Sequence, residues 1–549
     1  MSISASDRPR LRARWLLASA SMSLLALVAA PAVSLAQTAP TEAQPPEAAQ
    51  PMPSKAMPPV VVKGDKSKAP ASTAPYATTP SQKTTPEGGF SDVRVTGETP
   101  TPTSQAFQVA GENPGYFFNL ATFGAPVGQS LASHGVYLHG ATQLSDLSVV
   151  DGGHKGGSGI FNLGYWGTDV DTGKAFGLNG GLIDFTFSHQ LGSTLAGENM
   201  TGSQTFTPYG FGDQVRLVNL YYSQSFFNHA LQITLGRMEA GYTATPYLSP
   251  GIHQAQWYCN FFSVSCGNSN GFALNSNKAP YEVGSWGGFI TIHPADHWYF
   301  KGGVYENQPL EATSETHLGW PGRDWGFNEA SGAFFPVQLG YVTSPVDSMY
   351  PTNFHIGGYY DSGKFPDKFL NSKLLAAPTH PGAPFLDQGT FGIFTGLQQT
   401  VWRFTDNPKS NRGLSLFFSG DWDVTGLQDD QQQYMAGFIL TGPFSQRAAD
   451  TFNVLLSYKV IDNRQREDRE LLAKAHGIAD YKMSDESDFE VNYGVAVAPG
   501  LNIFPFVQYV QNPDQLGETV PDPKDTHAWS VGMRAVIRFD VLFGLPQPH

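Results

Sequence analysis

The stretch Thr526–Asp540, THAWSVGMRAVIRFD, decides the fold. Taken in steps of two, His527, Trp529, Val531, Met533, Ala535, Ile537 and Phe539 fall on one face. Ala528, Ser530, Gly532, Arg534, Val536, Arg538 and Asp540 fall on the other. Successive side chains of a strand point to opposite faces. One face is therefore apolar with aromatics towards its ends, and the other is small, polar and cationic. Working outward, Phe489–Ala498 (FEVNYGVAVA) alternates in the same way, with Phe489, Val491, Tyr493, Val495 and Val497 against Glu490, Asn492, Gly494 and Ala496. A tight Pro499-Gly500 turn leads into Leu501–Val510, and a long polar loop, Gln511–Asp525, leads into the last strand. Strands of about ten residues, joined alternately by a tight turn and a long loop, describe a closed transmembrane β-barrel. A soluble antiparallel sandwich also alternates, but its strands average about five or six residues.

Composition points the same way. Phe 38, Tyr 22 and Gly 59 are high, while charged residues make up only 15% of the chain, below the usual quarter. Aromatics and glycine suit interfacial girdles and tight turns. Beyond the N-terminus there is no apolar run of about 18 residues, so no membrane helix is expected. A net charge of −14 speaks against nucleic acid as a partner.

Residues 1–36 read as a secretory signal. Arg8, Arg10, Arg12 and Arg14 precede the apolar Trp15–Ala30, and Ser34-Leu35-Ala36 forms a small-x-small cleavage site. Residues 37–105 are rich in Pro, Ala and Thr and poor in apolar residues, which predicts a disordered periplasmic leader. Its Pro59-Val60-Val61-Val62-Lys63-Gly64 loosely matches the short box of energy-coupled outer-membrane receptors. Such a receptor needs about 22 strands and a plug, and the chain is too short for both. Residues 106–549 form the barrel domain. Val127–His134 predicts a short helix before Gly135, and alternation then begins at Val136. It recurs with Ile183, Phe185 and Phe187 outward, with Trp286, Gly288, Ile290 and Ile292, with Trp298, Phe300, Gly302 and Val304, and with Leu414, Leu416 and Phe418.

Motifs for catalysis are weak. Gly267-Asn268-Ser269-Asn270-Gly271 matches a nucleophile elbow in letters, but lacks the strand before it and the helix after it. His293 and His297 are separated by Pro294, which forbids the helix that would pair them. Asp169-Val170-Asp171-Thr172-Gly173 resembles the start of a calcium loop without its remaining ligands. Cys259 and Cys266, in an exported chain, predict one local disulfide in an extracellular loop and no metal site. Neither enzyme activity nor a cofactor is expected.

Several stretches are similar to the carbohydrate-selective porin family (OprB-like porins). They are Tyr350-Pro351 followed by Phe354-His355-Ile356-Gly357-Gly358-Tyr359-Tyr360-Asp361-Ser362-Gly363, Ser285-Trp286-Gly287-Gly288, Gly303-Val304-Tyr305, Arg412-Gly413-Leu414-Ser415-Leu416-Phe417, and Phe504-Pro505-Phe506-Val507-Gln508-Tyr509-Val510-Gln511-Asn512-Pro513. The resemblance runs from about Gly115 to Phe543. It implies an all-β barrel of ~16 antiparallel strands in the Gram-negative outer membrane, passing small mono- or oligosaccharides by facilitated diffusion. One departure is that Gly544–His549 follows Phe543, so either Phe539 or Phe543 would be the terminal aromatic. A general porin, an export barrel with a periplasmic partner on the leader, and a hydrolase using Ser269 are the alternatives. Lipid, lipopolysaccharide and the barrel-assembly machinery are the other expected partners.

Sugars are polyols with apolar ring faces, so a selective lumen needs hydrogen-bonding groups and aromatic surfaces. By strand parity the candidates are Arg534 and Arg538 on the last strand, with Asp184, Thr186 and Gln190 on an early one. Arg403, beside Trp402 and Phe404, and Trp166, which shares the parity of Asn162, complete the set.

Overall fold

The computed structural model describes residues 112–192, 200–203, 214–238, 262, 284–307, 332–343, 348–407, 410–426, 430–516 and 518–548. The expected signal, the leader, Cys259, Cys266 and Ser269 lie outside the described residues.

Sixteen strands form one closed sheet. They are β1 (Val136–Gly152), β2 (Gly157–Asp171), β3 (Gly181–Gly192), β4 (Gln214–Phe226), β5 (Leu231–Met238), β6 (Ser285–Ala295), β7 (Trp298–Asn307), β8 (Gly332–Val342), β9 (Thr352–Asn371), β10 (Pro384–Arg403), β11 (Gly413–Asp423), β12 (Asp430–Thr441), β13 (Thr451–Ile461), β14 (Glu486–Ala498), β15 (Leu501–Gln511) and β16 (His527–Arg538). Each strand pairs antiparallel with its sequence neighbours, and β16 returns to β1 from Ala141↔Arg538 to Gly152↔Ala528. Closure leaves no ladder edge, the condition for a sheet to stand in hydrocarbon. Among the described residues no helix is long and apolar enough to cross a membrane.

The alternation read from the sequence is the wall of this barrel. On β16, Trp529, Val531 and Met533 are exposed, while Ser530, Arg534 and Arg538 are buried. On β14 the buried set is Glu486, Asp488, Glu490, Asn492, Ala496 and Ala498. The last strand stops at Arg538, two residues before the Asp540 that parity suggested. Its neighbour β15 begins at Leu501, which pairs with Ile537. Beyond that point the backbone has no partner on β15 and closes on itself as α4 (Phe539–Leu542), with Phe543 N donating to Phe539 O at 3.0 Å.

Three further helices are α1 (Ala121–Ser133), α2 (Thr172–Phe176) and α3 (Asn463–Ala475). α1 starts six residues before the expected Val127, and it packs on the C-terminal tail. Gly124 N donates to Phe543 O at 3.1 Å. A Cβ on Gly128 would stand 2.6 Å from Pro546 Cδ, so only glycine allows this approach. The calcium-like Asp171 instead caps α2, accepting from Gly173 N at 2.8 Å and Lys174 N at 3.1 Å.

The residues described just before β1 and just after β16, and the short connections 227–230, 296–297 and 499–500, lie at one end of the barrel. The strand ends that border 193–213, 239–284, 308–331 and 462–485 lie at the other. Barrels of this kind carry short periplasmic turns and long extracellular loops, so the end that holds α4 and the helix Ala121–Ser133 is periplasmic.

Candidate functional site

The inward face is built of two kinds of wall. Strands β11–β15 bring carboxylates and amides inward. Glu490 accepts from Asn492 Nδ2 at 2.8 Å and Gln508 Nε2 at 2.9 Å, and Asn453 Nδ2 donates to Asn492 Oδ1 at 2.7 Å. Towards the extracellular end Lys459 is fully buried, with Nζ 2.7 Å from Asp514, 3.4 Å from Glu486 and 3.8 Å from Asp430. Asp421, Asp423 and Asp488 are also buried on this wall. Three carboxylates close to one ammonium offset the cost of desolvating it.

Strands β7–β10 form a wall of rings. Tyr299, Tyr305, Phe334, Tyr359 and Phe394 are all inward and buried. Several lie flat on a glycine of the neighbouring strand: a Cβ on Gly340 would be 2.1 Å from Tyr299 Cζ, and one on Gly392 would be 2.3 Å from Tyr359 Cζ. A ring covering a bare backbone in this way gives a smooth apolar surface and pins the register. Lys301 sits beside it, with Nζ 5.0 Å from the centroid of Tyr299, within cation–π range.

Parts of the connections reach across the lumen. Phe262, on the β5–β6 connection, is buried with its ring 5.7 Å from inward Phe417 of β11. Ser203, on the β3–β4 connection, donates to Glu486 Oε1 of β14 at 3.0 Å. α3 pairs Arg464 with Asp367 of β9 and lies 3.8 Å from Asp387 of β10, while Arg469 Nη2 donates to Gln515 O at 2.7 Å and Glu518 O at 2.8 Å. At the periplasmic end, 112–118 is tied to successive turns. Glu112 pairs with Arg412 at 2.6 Å, Gly115 O accepts from Arg447 Nη1 at 2.7 Å, and Phe117 N donates to Val497 O at 2.9 Å.

The expected lumen residues fall in three places. Asp184, Thr186 and Gln190 are inward and fully buried on β3. Thr186 donates to Asp184 Oδ1 at 3.0 Å and meets His139 Nε2 at 2.9 Å, while His139 Nδ1 faces Asp169 at 3.1 Å. Arg534 is inward with its guanidinium 5.3 Å from the Phe504 ring, and Arg538 is held by Asp540, Nε to Oδ1 at 3.0 Å. Arg403 stands at the periplasmic end, where it donates to Met349 O at 3.2 Å and Asn407 O at 2.5 Å. It ties a turn together and does not face the lumen centre.

Trp166 is a correction. It is half exposed on the outer wall and stacked on Phe187 at 4.7 Å. The parity argument took Asn162 as inward, but β2 is inverted, with Phe161, Leu163 and Tyr165 buried inside and Asn162 outside.

The ring wall escaped the sequence reading because Trp298-Tyr299-Phe300 and Tyr359-Tyr360 are aromatic on both faces. The acidic wall was signalled by the polar parity of Glu490 and Asn492.

The comparisons with known proteins agree with this geometry. The model of the carbohydrate-selective porin, OprB family, matches residues 165–539. Porin B of Pseudomonas aeruginosa is 26% identical over 370 residues, covering 64% of this chain and 77% of that protein. The putative porin QuiX of Acinetobacter baylyi is 23% identical over 434 residues, covering 75% and 91%. A high-pH structure of Pseudomonas putida OprB superposes with a TM-score of 0.63 at 17% identity, covering 77% of this chain and all of that one, which supports the fold. With the family model spanning most of a closed barrel whose inner walls pair rings with hydrogen-bonding groups, the chain belongs to the carbohydrate-selective porins of the OprB family, channels of the outer membrane.

Proposed function

We propose that saccharides cross this barrel between the ring wall of β7–β10 and the hydrogen-bonding wall of β11–β15. The observation that carries the reading is the flat seating of Tyr299 and Tyr359 on Gly340 and Gly392. An apolar sugar face can slide on such a surface while its hydroxyls exchange water for amides and carboxylates opposite. Inward Arg534 of β16 stands next to this second wall, and its weakly hydrated fork suits hydroxyls. Asp184, Thr186 and Gln190 extend the polar lining on β3. The chain acts as a channel with no catalytic step and no cofactor.

The remaining readings concern export, assembly and the β5–β6 connection. Residues 1–36 are removed on export, 37–105 form a leader available to a periplasmic partner, and 106–549 are delivered to the barrel-assembly machinery and to a membrane of lipid and lipopolysaccharide. Cys259 and Cys266 pair.

The test is sugar block of ion current in planar bilayers, with a liposome-swelling series across sugars of increasing size. Tyr359→Ala and Phe394→Ala should weaken block at least several-fold while conductance stays equal or rises. Block of unchanged strength in both variants would remove the ring wall from the sugar path.

A further inference from the structure

Asp169 of β2 and Asp184 of β3 stand directly opposite each other in the register, near the periplasmic ends of their strands. Both point inward and are 1% exposed. Like charges facing each other across two strands are destabilising, and burial takes away the water that would screen them.

The hydrogen bonds around the pair sharpen the problem. Thr186 Oγ1 lies 3.0 and 3.1 Å from the two oxygens of Asp184 and gives its one proton to that carboxylate. It accepts from His139 Nε2, 2.9 Å away. That placement of protons leaves Nδ1 of a neutral imidazole as a bare lone pair. Nδ1 faces Asp169 Oδ2 at 3.1 Å. Asp169 Oδ1 is buried as well and receives no N–H or O–H of the protein. The ring is fixed in this position over Gly167, where a Cβ would stand 2.7 Å from Nε2. Two described cations of this end are engaged elsewhere: Lys174 donates to Tyr137 Oη, and Arg538 is held by Asp540.

The missing element is positive charge between a nitrogen and two carboxylates. His139, Asp169 and Asp184 each offer one donor atom, and the three atoms lie within 4.8 Å of one another. A shared proton supplies one unit of charge; a divalent metal supplies two and balances both carboxylates. Zinc holds imidazole nitrogen and carboxylate oxygen at about 2.0–2.2 Å, which sets tetrahedral donors roughly 3.4 Å apart. The 3.1 Å between Nδ1 and Oδ2 is close to that spacing. Calcium fits less well, because it takes oxygen ligands, about six to eight of them. An imidazole in the donor set favours zinc.

We infer that His139, Asp169 and Asp184 bind a zinc ion that ties β1, β2 and β3 together at the periplasmic end of the lumen. Three protein ligands leave a fourth position for water on the lumen side. Thr186 orients the Asp184 carboxylate through its hydroxyl. The ion is structural and takes no part in the passage of sugar. It fastens the strands next to the seam where β1 meets β16.

The experiment uses the full chain without a histidine tag, purified in detergent, stripped with a chelator and titrated with zinc. His154→Gln serves as the background, because His154, Glu518 and Asp525 form a second group with donors within 4.8 Å. In that background, equilibrium dialysis should return about one zinc ion per chain. X-ray absorption at the zinc edge should show a shell of oxygen with a single imidazole and no sulfur. Adding Asp184→Asn or His139→Gln should each weaken zinc binding at least tenfold, while heat-modifiable migration shows that the barrel has closed. No zinc in the background chain would overturn the proposal and leave a shared proton to hold the carboxylates. Sulfur in the shell, or undiminished binding in both variants, would overturn it too. If the variants do not close, the stoichiometry and shell of the background chain decide alone.

Discussion

Leu456 and Met533 both stand exposed on the outer wall, yet the same substitution should cost them differently. Leu456 has apolar surroundings on β13, so Leu456→Arg at mid-depth should destabilise the barrel by about 2–4 kcal/mol. Met533 lies beside Asp146, whose carboxylate would meet an introduced guanidinium, so Met533→Arg should cost measurably less. Urea titration of barrels refolded in vesicles checks the order, and equal losses would contradict it. On the inner face, Lys459→Met leaves Asp430, Glu486 and Asp514 without their cation. A loss of about 3–5 kcal/mol is expected, the usual consequence of removing one partner from a buried ion pair. Arg534→Ala should weaken sugar block more than it changes conductance, because the guanidinium offers fixed donors that alanine lacks. Parity placed Arg534 and Thr186 correctly from letters alone. It failed at Trp166, because the rule that polar means inward breaks where a wall carries polar groups outside.

At the level of elements, α3 shows what period-two reading cannot find. Asn463–Ala475 is charged on most sides, so neither a strand nor an apolar helical stripe stands out. The helix is held by its ends and by arginines instead. Asp462 caps it through Arg464 N at 2.8 Å, and Arg466 pairs with Asp485 at 2.7 Å. Within it, burial pushes the Asp468 carboxyl up from its ordinary 3.8 to about 6, against the pull of Arg469. A raised carboxyl favours the folded helix below about pH 4, and that contribution is lost as pH rises through 6. Amide exchange in 463–475, corrected for intrinsic rates, should therefore be slower at pH 4.5 than at pH 7. Asp468→Asn should flatten the difference, and an unchanged pH dependence in that variant would assign it elsewhere. The last three strands, by contrast, were legible to within three residues. Their ends were not, because a strand ends where its neighbour stops offering a ladder, as β16 does when β15 runs out at Leu501.

For the molecule as a whole, the inner charges are unevenly spread. Asp421, Asp423, Asp430, Glu486, Asp488 and Glu490 crowd one wall with Lys459 among them, while Lys301, Arg216 and Arg534 stand on others. A lumen weighted towards carboxylate concentrates cations, so reversal potentials in a salt gradient should report cation over anion preference. Asp423→Asn with Asp488→Asn should reduce it, and anion preference in the unsubstituted barrel would show that the acidic wall does not face the ion path. Closure, antiparallel order and the two kinds of connection were readable from the sequence. The reach of Phe262 and Ser203 across the lumen was not, since long polar connections carry no periodicity that says which way they fold.

The meeting of β1 with β16 joins residues nearly the full barrel apart in sequence, Ala141 against Arg538. Until the last strand is delivered, every earlier strand belongs to an open sheet with two adhesive margins. No shorter version of this wall is complete, so a chain cut before His527 yields a hazard to be degraded and not a narrower pore. The barrel can therefore close only after β16 has been made.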